Sequence, residues 1–238
     1  MGQCMSAGRH HELILGGQKS GKTVRAERAV ARWLEQDPAR RALYLATALP
    51  WDAEMQERIA RHQQDRAQRV PRMETLQAGG RGELLDVPAL LREHAAPEVA
   101  LVLDCLTLWL TQQLMPLEVE EGAGELAAPA PPAGAIADTP VQVEAPHQAC
   151  NASSAVPGHR VAAATADLLE AIQAWPGPLY IVSNEIGLGV IPLGRETRAF
   201  VDALGELNQR VAAVCSHVTL MAAGLPLTLK SSERKDLP

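Results

Sequence analysis

Gly16-Gly17-Gln18-Lys19-Ser20-Gly21-Lys22-Thr23 is the stretch on which the fold turns. It fits G-x-x-x-x-G-K-[ST], and each fixed position has a chemical reason. The glycines let the backbone curl until successive N–H groups point at phosphate oxygens. The helix that follows adds its positive N-terminal end. Lys22 is placed to reach the outer phosphates of a nucleoside triphosphate, and Thr23 to hold Mg²⁺. A glycine-containing turn can match such a pattern by chance. Here an apolar run, Glu12 to Gly16, precedes the loop, and an amphipathic segment follows it. Strand, loop and helix are the context that the motif requires.

Working outward, Ala26, Ala29, Val30, Trp33 and Leu34 predict a helix over 22–36. Residues 42–47 read as a second buried strand. A helix is expected over 51–66, a turn-rich stretch to Gly82, and a helix over 83–94 interrupted near Pro88. Val99 to Asp104 (VALVLD) is an apolar strand ending in an acid, followed by a helix to about Leu114. Asp104 is the acid that a phosphate loop calls for, beside the metal or nucleotide. An Asp in that place also serves as a helix cap, and Thr107 offers a second cap. Beyond, a helix over 160–174, a strand over 179–183, a helix over 194–215 and a closing pair of strands, 217–221 and 225–230, complete the pattern. The expected class is α/β: a P-loop, RecA-like, mostly parallel sheet with helices on both faces.

The 238 residues suit one domain. Residues 116–159 differ in kind. They hold seven of the 17 prolines, no Lys or Arg, and six acids, with no periodic apolar face. They are expected to be an unordered insertion within the domain. Removing those six acids from 28 leaves 22, equal to the 22 basic residues. The remaining chain is neutral and only 3% aromatic, which argues against a nucleic-acid footprint. Cys4, Cys105, Cys150 and Cys215 form no C-x-x-C pair and read as reduced thiols. No apolar run approaches a membrane span or a signal peptide, so a cytoplasmic protein is expected.

Trp51, Met55, Ile59 and His62 fall on one helical stripe, which should face the protein. Glu54–Arg58 and Glu57–Arg61 then form the solvated face. His62 on such a stripe can be an ordinary half-buried histidine. An imidazole can also attack phosphorus and leave again, through a phosphoramidate. Periodicity leaves both readings open. Asn184, Glu185, Gly187 and Gly189 follow a strand, at the end of the sheet where α/β proteins bind ligands. Phe200, Leu204, Leu207, Val211 and Val214 form a core-type stripe.

GGQKSGKT, ATA, EMQERIARHQQDR, LVLDCLTLWLT, IVSNEIGLGVIP and GELNQRVA occur in that order. Together they resemble the bifunctional adenosylcobinamide kinase / adenosylcobinamide-phosphate guanylyltransferase family of cobalamin biosynthesis, over most of residues 12–230. The resemblance implies phosphorylation of adenosylcobinamide by ATP or GTP. It further implies transfer of GMP from GTP through a guanylylated histidine, with release of pyrophosphate. The histidine falls on His62. The guanine-nucleotide contacts fall on the phosphate loop, Ala46, Thr47, Ala48, Gln63, Gln64, Asp65, Arg66, Glu74 and Asp104, and the metal contacts on Thr23 and Asp104. The resemblance also implies a homotrimer. The chain departs from the family pattern in having Asp104 for Glu, Ala67 for Pro, and Val70 for Trp. A monofunctional P-loop kinase and a nucleotide-dependent switch are the alternatives; a guanylylated protein would separate the first reading from the kinase, and ATPase stimulation by DNA or a partner protein would support the switch.

Overall fold

The computed structural model describes residues 9–49, 53–77, 86–115 and 157–232. In chain order the elements are β1 (His11–Gly16), α1 (Lys22–Glu35), β2 (Arg41–Ala46), α2 (Ala53–Arg69), β3 (Met73–Gln77), α3 (Val87–Glu93), β4 (Val99–Asp104), α4 (Leu106–Leu114), α5 (Pro157–Ala174), β5 (Leu179–Val182), α6 (Arg195–Val214), β6 (His217–Ala222) and β7 (Leu225–Lys230).

The strands form one sheet in the order β3-β2-β4-β5-β1-β6-β7. All neighbours are parallel except β6 and β7. β5 lies between the phosphate-loop strand β1 and the acid-bearing strand β4, the RecA-like arrangement. The β6–β7 hairpin closes through Ala223 and Gly224, at φ 51° and 80°. Two consecutive positive φ values match the right-handed strand twist, which is why a two-residue turn suffices.

Alternation along the strands divides the core. Leu13, Leu15, Leu43, Leu45, Leu101 and Leu103 face α3, α4, α5 and α6, packing on Leu91, Leu106, Trp109, Leu168, Ile172, Leu204 and Val211. Ile14, Ala42, Tyr44, Ala100, Val102 and Val182 face the other way, onto Ala26, Val30 and Leu34 of α1. These inner strands carry apolar residues on both faces, as a parallel sheet covered on both sides requires.

The structure corrects several expectations. β3 lies where turns were expected. Pro88 opens α3 rather than interrupting it, and the Asp86 carboxylate caps that helix by accepting from the Ala89 N–H at 2.9 Å. α5 begins at Pro157, so residues 157–159 belong to a helix and not to the insertion. Residues 116–156 lie outside the described residues, as do Trp51, Cys4 and Cys150. Cys105 and Cys215 are buried free thiols. Among the described residues no helix is long and apolar enough to cross a membrane.

The His62 stripe is the largest departure. Met55 and Ile59 are half-buried, but His62 is exposed within the chain. Over α2 only Arg66 is buried. Met55, Ile59 and Gln63 give this helix a half-buried stripe, and Arg66 in its last turn is the one residue fully covered. An i, i+4 stripe predicts an inward face only where a layer exists to receive it.

Candidate nucleotide and phosphoryl-transfer site

The loop between β1 and α1 has the geometry its sequence requires. Gly16 sits at φ 149°, and a Cβ there would meet the Met221 carbonyl oxygen at 2.4 Å. Gly21 sits at φ 96° and caps α1. Lys19 also has positive φ, at 55°. A non-glycine residue seldom adopts this conformation unless its surroundings hold it there. Three ties do so. The Ser20 N–H donates to the Gly17 carbonyl at 3.3 Å, the Gly224 N–H to the Ser20 carbonyl at 3.2 Å, and the Glu185 N–H to the Gly16 carbonyl at 3.2 Å. The last two brace the loop against the β6–β7 turn and the segment after β5.

Lys22 is 8% exposed. Its ammonium donates to the carbonyls of Gly16 at 3.0 Å and Gly17 at 2.7 Å. Burial lowers its pKa, the Asp104 charge works the other way, and Arg58 reinforces the lowering. The cation therefore sits at the loop's concave face, where phosphate charge would be met.

Asp104 joins the loop from across β5. One carboxylate oxygen accepts from the Thr23 hydroxyl at 2.7 Å and from the Tyr44 hydroxyl at 2.7 Å. The residue that caps α4 is Cys105, without a side-chain bond, so Asp104 does not act as that helix's cap. Thr107 does not cap either; its hydroxyl accepts from the Asn184 N–H at 3.0 Å and holds the loop after β5. Thr23 and Asp104 thus present two hard oxygens side by side. Such a pair suits Mg²⁺, which takes one or two protein ligands and completes its shell with phosphates and water.

Tyr44 is a site residue that the sequence reading missed. Burial raises its pKa well above the usual value, with the Asp104 charge adding to the effect, so it stays a neutral donor. Its ring carries the Arg66 guanidinium at 3.8 Å. Arg66, 4% exposed, also donates to the Thr75 hydroxyl at 2.9 Å. Arg66 therefore braces α2 against β2 and β3, and its charge is committed to that stack. A Tyr in a buried strand reads as core, and only the register with Asp104 shows its other use.

Of the residues carried over from the family, the structure gathers some and not others. Gly16, Gly17, Gln18, Lys19, Ser20, Gly21, Lys22, Thr23 and Asp104 form one surface. Ala46 ends β2 and Thr47 and Ala48 follow it, beside Asp104. The Thr47 hydroxyl is consumed, donating to the Cys105 carbonyl at 2.8 Å and accepting from the Cys105 N–H at 2.7 Å. The Thr47 backbone is used as well, the N–H donating to the Asp104 carbonyl at 2.9 Å and the carbonyl accepting from Gln112 at 2.6 Å, so Thr47 braces the site and the half-buried Ala46 and Ala48 flank it. On α2, Gln63 is half-buried while Gln64 and Asp65 are exposed, Asp65 lying 3.9 Å from Arg69. Glu74 is not brought to the loop within the chain. It sits opposite Leu43, three residues before the position paired with Ala46, or about 10 Å along the strand. It pairs instead with Arg41 at 3.4 Å.

His62 stands on α2, one turn after Arg58. Its pKa is lowered, first by desolvation. Asp104 opposes that shift, and Arg58 adds to it. Arg58 thus acts on both Lys22 and His62. Arg58 is exposed, as the solvated-face reading has it, and its charge is nonetheless felt at both groups. His62 is an exposed, neutral-leaning imidazole on the same helix.

A phosphate loop, a hydrogen-bonded Thr23–Asp104 pair and a buried lysine at the C-terminal edge of a parallel sheet define a P-loop phosphotransferase. Residues 12–229 match the family described as cobinamide kinase / cobinamide phosphate guanyltransferase, and the chain belongs to that family. It is 36% identical over 219 residues to the bifunctional adenosylcobalamin biosynthesis protein CobP of Pseudomonas aeruginosa, covering 92% of this chain and 96% of that one. It is 28% identical over 218 residues to CobU of Escherichia coli and 27% over 218 residues to CobU of Salmonella typhimurium, covering 92% of this chain and 98% of each.

Proposed function

We propose that this enzyme carries out both reactions of its family. It phosphorylates adenosylcobinamide with ATP or GTP, and then transfers GMP from GTP to the phosphate so formed. His62 carries the GMP between the two substrates, and the working form is a homotrimer. The observation that supports this most directly is the meeting of Thr23 and Asp104 beside the phosphate loop, with the Asp104 charge also felt at His62. The loop, Lys22, Thr23 and Asp104 suit direct phosphoryl transfer. A separate imidazole, electrostatically linked to Asp104 and Arg58, suits nucleotidyl transfer.

The geometry supports the following roles. Backbone N–H groups of residues 17–22 and the α1 terminus hold the β- and γ-phosphates. Lys22 meets charge that builds on the transferring phosphoryl group. Thr23 and Asp104 would hold Mg²⁺, which neutralises phosphate charge when bound. Tyr44 fixes the Asp104 carboxylate toward Thr23 by its 2.7 Å hydrogen bond. In the second reaction the neutral His62 nitrogen bonds to the α-phosphorus of GTP as the bond to pyrophosphate breaks. The phosphoramidate then yields GMP to the phosphate oxygen of the acceptor, and the imidazole is regenerated neutral. The exposed first turns of α2 leave His62 room to meet both partners, and leave a helix face that a neighbouring subunit of the trimer would cover.

The test is incubation with α-³²P-GTP without corrinoid. The expected result is an acid-labile, alkali-stable label on the protein that His62→Asn lacks and that adenosylcobinamide phosphate discharges. An unlabelled wild-type enzyme that still phosphorylates adenosylcobinamide would reduce the function to a kinase.

A further inference from the structure

The segment after β5 exposes an apolar surface that the phosphoryl-transfer machinery does not use. Leu188 is 78% exposed, Val190 96%, Ile191 77% and Leu193 98%, with Ile186 beside them at 39%. Single exposed leucines are ordinary, but five large apolar side chains within eight residues are not. Residues 186–193, IGLGVIPL, contain no charged side chain.

The segment is also held. At its start, the Glu185 N–H bonds the Gly16 carbonyl, the Asn184 N–H bonds Thr107, and Asn208 of α6 donates to the Asn184 carbonyl at 3.1 Å. At its far end, Arg198 donates to the Pro192 carbonyl at 3.0 Å. Within it, the Gly187 N–H bonds the Glu185 carboxylate at 3.2 Å. The apolar side chains therefore stand on a backbone tied at both ends, and one of those ties is to the phosphate loop itself.

We infer that this segment is the platform on which the corrin ring of the acceptor docks; the inference rests on the substrate named in the proposed function. Direct phosphoryl transfer needs the acceptor hydroxyl in line with the γ-phosphate. The body of the acceptor must then rest within reach of residues 16–23. A corrinoid is a broad conjugated macrocycle fringed with amides, and its docking surface should be apolar, uncharged and supplied with backbone polar groups. Residues 186–193 meet that description and are continuous with the phosphate site. Burying several of these side chains under the ring supplies binding energy remote from the reacting atoms.

The experiment compares the full-length wild type with a Leu188→Asn, Ile191→Asn, Leu193→Asn triple variant. All three positions are well exposed, so the fold has little to lose. Binding is measured with cobinamide by equilibrium dialysis, read by its visible absorbance. The expected result is at least a tenfold weaker Kd, and a matching rise in KM for adenosylcobinamide. Labelling by α-³²P-GTP and the sedimentation coefficient should stay unchanged. Unchanged cobinamide binding would overturn the platform. So would a loss of binding that accompanies a changed assembly state, since the surface would then be a subunit contact. Absence of the GMP label from both proteins would count against the proposed transferase reaction, while the dialysis result would still decide the platform.

Discussion

At the scale of single residues, the phosphate site divides its labour between charge and shape. Lys22 supplies the charge. Lys22→Ala should lower kinase and guanylyl-transfer turnover by about 10²–10³-fold, the usual effect of deleting a preorganised donor to developing charge. Near-normal turnover by either route would remove Lys22 from the site. In the proposed transfer His62 is the nucleophile, and its protonation would set a pH limb. Its pKa lies below the ordinary 6.5, so the reactive neutral form is present at and above that pH and is lost only under more acid conditions. Label formation should be flat across pH 7–8 and fall below about pH 6.5. Removing the Arg58 cation takes away one of the effects that depress this pKa. Arg58→Ala should therefore move the acid limb to higher pH, which stopped-flow labelling across pH 5–8 would show. An unmoved limb would place Arg58 out of His62's reach. The phosphate loop was legible because its residues are contiguous and their chemistry dictates the spacing. Tyr44 and Arg58 were not legible, because their use depends on which strand and which helix turn lie opposite them.

Among the elements, α2 is the one whose position matters most and whose anchorage is narrowest. Its last turn holds Arg66 on the Tyr44 ring and Arg69 on Glu27 of α1. The Arg69–Glu27 bond is 2.6 Å long, and the Glu27 side chain is 1% exposed. Burial raises the Glu27 pKa and Arg69 opposes the rise, so the pair stands or falls together. Arg69→Ala would leave that carboxylate buried and unpaired. A loss of about 2–4 kcal/mol is expected, less than for a fully enclosed pair because Arg69 is partly solvated. The Glu27→Gln, Arg69→Ala double variant should recover part of that loss, and urea unfolding of the two singles and the double would give the coupling. Strictly additive effects would mean the bond does not anchor α2. Guanylyl transfer should suffer more than kinase turnover, since His62 rides on this helix and Lys22 does not. The same element shows why periodicity misled. Apolar residues at i and i+4 were read as a face toward a layer; Met55 and Ile59 are half-buried as that reading requires, but His62 falls on the exposed side and Arg66 is the buried residue of α2. β3 was missed for a related reason: it is a short edge strand in which Met73 is buried and Leu76 only half-buried, too little alternation to stand out beside Pro71.

For the whole molecule, the sheet carries a charge in its midst that should govern acid stability. Apart from β3, the strands read from sequence as apolar runs, yet Glu12 of β1 is 4% exposed. It accepts from Arg25 of α1 at 2.8 Å and from Thr219 of β6 at 2.7 Å, and pairs with His10 at 3.5 Å. One carboxylate thus joins β1 to the helix above it and to the strand beside it, at the opposite end of β1 from the phosphate loop. Burial alone would push its pKa up. The hydrogen bonds from His10 and Thr219, together with Arg25, outweigh burial and bring it down to about 2 from 4.5. A carboxylate depressed on folding contributes stability that is fully present above its unfolded pKa and is lost as pH falls toward the folded one. The window here is pH 4.5 down to about 2, and the contribution at neutral pH is on the order of 3 kcal/mol. Glu12→Gln keeps the shape but cannot ionise. Its melting temperature at pH 7 should lie below that of the wild type, and the gap should narrow steadily between pH 4.5 and pH 3, as followed by circular dichroism. A gap that stayed constant through that range would mean that Glu12 acts through packing alone, and that the link from sheet to helix does not depend on its charge.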